Sequence, residues 1–119
     1  MDIQQYYHLF NYLLTSQIPE HFSQPQKNHL IQKSKHFIIK NNLIYKKDKR
    51  KEGNLLRVIK IHEVESILYM MHNDPTAGHF ATDIMFGKIR DRYYWPQMFE
   101  NIREYVKSCD QCQRRGKYK

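Results

Sequence analysis

Near the start of the chain, Ile3, Tyr6, Tyr7, Phe10, Leu13 and Leu14 recur at intervals that share one side of a helical turn. The spacing predicts an amphipathic helix, which Ile18-Pro19 stops because the residue before a proline is pushed away from helical geometry. Ser23, two positions ahead of Pro25, is placed to cap a second helix whose inward contacts are Leu30 and Ile31. The pattern then changes character. Residues 37–45 are rich in β-branched and aromatic side chains, and Asn41-Asn42 at their centre tolerates the positive φ of a tight hairpin turn. A polar stretch over 46–54 leads into residues 55–60, a third strand for the same small sheet.

Helical spacing returns with Ile61, Val64, Leu68 and Met71, which predicts a helix running to His72. Asn73, Asp74, Pro75 and Gly78 break it, and the turn lets His79 fold back toward His72. Thr82 is the expected N-cap of the next helix, with Phe86, Ile89 and Tyr93 inward and Lys88 and Arg92 toward water. Gly87 weakens that helix by about 1 kcal/mol relative to Ala unless packing requires it. Trp95-Pro96 separates it from a last helix, in which Met98, Ile102, Tyr105 and Val106 form a stripe ending beside Cys109. There is no internal repeat and no low-complexity segment. The expected fold is α+β, mainly α: helices and a β-hairpin or meander over residues 1–59, a three-helix unit over 60–116 and a basic tail at 117–119.

Charge adds a partner to this outline. Twenty Lys and Arg against twelve Asp and Glu leave a net charge of +8, which favours polyanions such as DNA, although a solubility surplus gives the same total. No apolar run approaches the ~20 residues that cross a bilayer, and the first residues lack a signal core, so a soluble, intracellular chain with no membrane partner is expected. Two cysteines three positions apart suit a reduced metal site better than a secreted disulfide framework.

Six residues lie between His72 and His79, twenty-nine between His79 and Cys109, and two between Cys109 and Cys112. One helical hairpin therefore brings two ligand pairs together. A Cys-x-x-Cys turn lets both sulfurs face one ion, and two imidazoles complete the tetrahedral shell of a structural Zn²⁺. Two thiolates cancel the charge of the ion, which makes its burial tolerable. A unit of about 55 residues also lies near the lower size at which apolar burial alone holds a fold. A redox role for Cys109 and Cys112 lacks the strand before and helix after that such pairs require. Five further histidines, His8, His21, His29, His36 and His62, show that no single histidine is diagnostic.

The run His72 to Gly78-His79-Phe80, then Tyr94-Trp95-Pro96-Gln97-Met98, then Cys109-Asp110-Gln111-Cys112-Gln113-Arg114-Arg115 resembles the HHCC zinc-binding domain of Gypsy-type retrotransposon and retroviral integrases and their domesticated relatives. Ala81 and Ile84 stand where that family often has Gly and Thr. The resemblance implies that His72, His79, Cys109 and Cys112 are ligands of one structural zinc, and that the preceding residues are an N-terminal extension. It also implies a domain that assembles integrase subunits and holds DNA ends, while a separate RNase-H-like core carries catalysis.

That core is expected to be absent from a chain ending at Lys119, so no catalytic residue and no small-molecule substrate are expected. Asp74, Asp83, Asp91, Glu100 and Glu104 lack the spacing of a two-metal nuclease and are expected to be solvated or to pair with cations. The candidate DNA contacts are Lys88, Arg92, Arg103, Lys107, Arg114, Arg115 and Lys117, all of a kind that positions a protein on phosphates without reading bases. Lys46, Lys47, Lys49, Arg50 and Lys51 form a secondary positive loop, read first as a solvated charge run. Trp95 is expected as a core anchor, with base stacking as the alternative. DNA binding would place the protein in the nucleus. The competing function is a zinc-stabilised protein-interaction module that uses the Tyr-rich first helix.

Overall fold

The computed structural model describes residues 1–72 and 82–108. Five α-helices and a four-stranded mixed sheet are present among them, with helix predominating. None of these helices is long and apolar enough to cross a membrane.

Helix α1 spans Ile3–Thr15. The Asp2 carboxylate accepts from the backbone N–H groups of Gln4 and Gln5, at 2.9 and 3.2 Å, which satisfies donors that a helix start leaves open. Its end comes before the expected Ile18-Pro19 stop. Ser16 turns into the left-handed region at φ 63° and donates its N–H to the Tyr12 carbonyl at 2.8 Å. The inward face also differs from the expected stripe. Tyr6 and Leu9 are buried, whereas Ile3, Tyr7 and Leu14 are exposed. Leu9, outside the expected set, occupies the centre because it lies one turn from Tyr6 on the side facing the sheet, and the Tyr6 hydroxyl accepts from the Ile44 N–H there at 3.2 Å.

Helix α2, Gln24–Ser34, begins with a reciprocal capping box between Ser23 and Gln26, with Pro25 in its first turn. Leu30 is its buried residue and Ile31 is half-buried. Strands β1 (Phe37–Lys40) and β2 (Leu43–Lys47) pair antiparallel around Asn41 and Asn42, whose φ values of 54° and 63° are those of a two-residue hairpin turn. Strand β3, Leu55–Val58, adds to β2 antiparallel and stops two residues short of Lys60.

A 3₁₀ turn at Ile61–Glu63 leads into α3, Val64–His72. Ile61, expected on the inward face, is exposed because the tighter turn rotates it outward, and Ile67, Leu68 and Met71 fill the core instead. Helix α4, Thr82–Ile89, includes Thr82 as its first residue rather than as the residue before it, and buries Met85 and Ile89. Tyr93, expected on this helix, belongs to strand β4, Tyr93–Tyr94. Arg92 donates back to the Ile89 carbonyl at 3.0 Å as the helix closes, after which the two tyrosines extend parallel to β3. The N–H of Arg57 bonds the Arg92 carbonyl and that of Ile59 the Tyr94 carbonyl, each at 2.9 Å. The open edge of β3 thus supplies partners that a helix through Tyr93 would forgo. Helix α5, Met98–Ser108, follows Gln97, which sits at φ 66°.

Two apolar clusters result. One holds Met1, Tyr6, Leu9, Leu30, Phe37, Ile44 and Val58; the other gathers Ile59, the buried residues of α3, α4 and α5, and Trp95. Tyr94 packs against both. The sheet order β1-β2-β3-β4 makes the same connection through the backbone, with three strands drawn from before residue 59 and one from after it.

Candidate metal centre and basic surface

His72 is the last residue of α3 and is only 3% exposed. Its ring meets the Tyr105 ring edge-on, with centroids 5.3 Å apart and planes at 81°. Tyr105 lies on the final turn of α5, so this contact brings the end of α3 beside the end of α5. The packing has a clear source: Leu68 and Met71 on α3 and Ile102 on α5 belong to one apolar cluster around Trp95. A buried imidazole at a helix end, against the helix that leads toward Cys109, suits a ligand position. His79, Cys109 and Cys112 lie outside the described residues, as do Arg114, Arg115 and Lys117. Among the described residues no three His, Cys, Asp or Glu side chains are grouped to hold a metal. The donor set read from the sequence, two imidazoles and two thiolates, has the number and softness that Zn²⁺ takes.

Trp95 is a core residue. It is 2% exposed, and its indole N–H donates to the Asn101 Oδ1 at 2.8 Å, which leaves no ring face for a base.

Lys88 and Arg92 are exposed near the end of α4, and Arg103 and Lys107 are exposed one turn apart on α5. Glu100 and Glu104 share that outer surface of α5, so its cations alternate with carboxylates. Asp83 is exposed on α4.

The positive loop after β2 is more than a solvated run. Asp48 is buried, and its carboxylate accepts from the Asn54 side chain and from the Arg50 backbone N–H, both at 2.9 Å. These two hydrogen bonds, with the Arg50 guanidinium nearby, hold the Asp48 carboxyl below the usual carboxylate range. Arg50 also reaches Asp91 at 3.3 Å and the Arg90 carbonyl at 2.9 Å, and Lys51 lies 4.0 Å from Asp91. Asn54 donates to the Asp91 carbonyl at 3.2 Å. The loop is therefore tied to the connection between α4 and β4. Lys47 donates to the Lys35 carbonyl at 3.3 Å, and the Lys46 ammonium sits over the Tyr94 ring at 5.0 Å. Sequence reasoning missed Asp48, Asn54 and Asp91 as a group, since partners some forty positions apart leave no local pattern.

Residues 59–118, half of the chain, match the integrase zinc binding domain family. The chain belongs to that family. A stretch of 48 residues is 40% identical to the retrovirus-related Pol polyprotein from transposon 412 of Drosophila melanogaster, covering 40% of this chain and 4% of that polyprotein. The chain is thus similar to a small part of a much longer protein. The matched segment of the integrase zinc-binding domain begins at Ile59, the first residue of the second apolar cluster, and it includes His72, whose ring meets Tyr105 of α5.

Proposed function

We propose that this chain is the zinc-carrying, non-catalytic part of a retrotransposon integrase or of a derivative of one, and that it binds DNA and assembles with other integrase subunits. The observation that carries the reading is His72, buried at the end of α3 against Tyr105 within the span matched by the family. In this reading His72, His79, Cys109 and Cys112 hold one zinc. A zinc held by these four residues would tie together the segments that carry them. A complete shell of four protein ligands leaves no position for an activated water, so the ion's role is structural. Trp95 and Ile102 pack in the apolar cluster that joins α3 to α5, and Tyr105 stands edge-on to the His72 ring.

The DNA-binding half rests on charge and exposure. Lys88, Arg92, Arg103 and Lys107 reach solvent, and Arg114, Arg115 and Lys117 follow in sequence. Their contacts would be to phosphates, giving salt-dependent binding with little base preference. The proposal extends to residues 1–59 as an extension and 60–116 as the zinc unit, and nuclear residence follows from DNA binding.

Metal analysis of the full chain and of Cys109→Ser, with helical content measured on the same samples, tests the site. One zinc per wild-type chain, lost together with helix in the variant, is the expected result; a folded, metal-free wild type refutes it. Duplex binding in a salt series, repeated with Arg103 and Lys107 reversed to Glu, tests the DNA half. Negligible affinity at low salt would sink it.

A second reading, a protein-interaction module, is favoured by the exposed Ile61, Tyr69 and Met70 along the outer side of the 3₁₀ turn and α3. Self-association that persists after the basic tail is neutralised would select it.

A further inference from the structure

A groove of about 480 Å³ opens between the loop after β2, the turn into β4 and the start of α5. This is within the size range of small-ligand clefts. Its walls alternate charge and ring. Lys46, Lys49, Arg50 and Arg90 line it together with the aromatic residues Tyr93 and Phe99. Two carboxylates belong to the same lining, Asp48 and Glu100. Asp48 is buried and already bonded to Asn54 and the Arg50 backbone, and Arg50 is held by Asp91, so that Lys46, Lys49, Arg90 and Glu100 are the other charged residues of the lining. Lys49 and Arg90 are exposed. Burial, and then the Lys49 charge, lower the Lys46 ammonium's hold on its proton, with Asp48 opposing them.

The rings have separate duties. Arg90 covers Phe86 with its guanidinium 5.4 Å from the ring centroid, and Lys46 covers Tyr94. Phe99 stands at 84° to Phe86 with ring centroids 5.4 Å apart, and it is 37% exposed. A partly exposed aromatic ring set among cations is the chemistry that takes an unpaired base and its phosphates. Duplex DNA keeps its base faces stacked and cannot use it.

We propose that this groove binds a single-stranded segment of DNA, with one base stacked on Phe99 and the flanking phosphates on Lys49 and Arg90. The proposal rests on the DNA-binding reading above and assigns it a second surface, distinct from the exposed cations of α5.

The test is fluorescence anisotropy with the full chain, comparing a mixed-sequence single strand with a blunt hairpin duplex of the same sequence across a salt series. Phe99→Leu keeps apolar packing on Phe86 and removes the stacking face. It is expected to weaken single-strand binding roughly tenfold and to leave duplex binding unchanged, while Phe99→Trp retains affinity. Lys49→Ala, at an exposed loop position, should reduce the salt slope for the single strand by about 0.7, the contribution of one phosphate contact. The Lys49 arm keeps the proposal open to test if Phe99→Leu disturbs α5. Unchanged single-strand affinity in folded Phe99→Leu, or an unchanged slope in Lys49→Ala, overturns the groove. Duplex binding that survives such a result leaves the broader DNA reading standing, whereas no binding of either DNA at low salt overturns both.

Discussion

At the scale of single residues, Asp48 and Trp95 are buried side chains whose polar atoms have partners. Asp48 lies just beyond β2, and its partners Arg50 and Asn54 come from the loop that follows. Because its carboxyl is held below the ordinary range, the stability it contributes is complete above about pH 4 and is lost as pH falls through the depressed value. The gap in thermal midpoint between wild type and Asp48→Asn should therefore narrow between pH 7 and pH 3; a gap that stays constant would count against the assignment. Trp95 gives a different test. Trp95→Phe removes the hydrogen bond to Asn101 and part of a buried ring, which should cost about 1–2 kcal/mol in urea unfolding and leave DNA affinity unaltered in the folded protein. Unchanged stability with weakened DNA binding would restore the base-stacking role.

At the scale of elements, local chemistry decided what could be read from sequence. The cap at Ser23, the Asn41-Asn42 turn and the apolar stripe of α5 are short-range patterns, and the chain folds accordingly at each, whereas the α3 stripe holds for Leu68 and Met71 but not for Ile61. Asn42 sits at φ 63°, so Asn42→Val should destabilise the protein by about 1 kcal/mol, readable as a lower urea midpoint; an equal midpoint would mean the turn relaxes. In α4, among the described residues, nothing stands within 4 Å of a Cβ added at Gly87. Gly87→Ala should thus raise stability by about 0.5–1 kcal/mol, and a drop in stability would reveal a neighbour that the added methyl displaces. Strand β4 was illegible because two residues carry no period and their identity as strand depends on the edge of β3, distant in sequence. The inward face of α1 was illegible for a related reason: Tyr7 and Leu14 are as apolar as Tyr6 and Leu9, and only the position of the sheet separates them. The spacing of the histidines and cysteines is visible in the sequence, whereas the ring that meets His72 is not, because Tyr105 reads as one more position of a helical stripe.

At the scale of the whole molecule, charge and topology set the behaviour. If the exposed cations of α5 touch duplex phosphates, reversing Arg103 and Lys107 should lower the slope of log affinity against log salt by about 0.9 for each phosphate no longer neutralised; an unchanged slope would remove α5 from the interface. The register Arg57↔Tyr93 and Val58↔Tyr94 joins positions on opposite sides of α3 and α4. The amides of Arg57 and Ile59 are bonded to carbonyls that are in place only when this later part of the chain has come together. Their exchange with deuterium should therefore report the assembly of the distant helices: slow with metal supplied, fast after chelation, while the amides within the β1–β2 hairpin keep their protection. The two-residue strand makes the edge of the sheet a gauge of whether the other half of the molecule is closed.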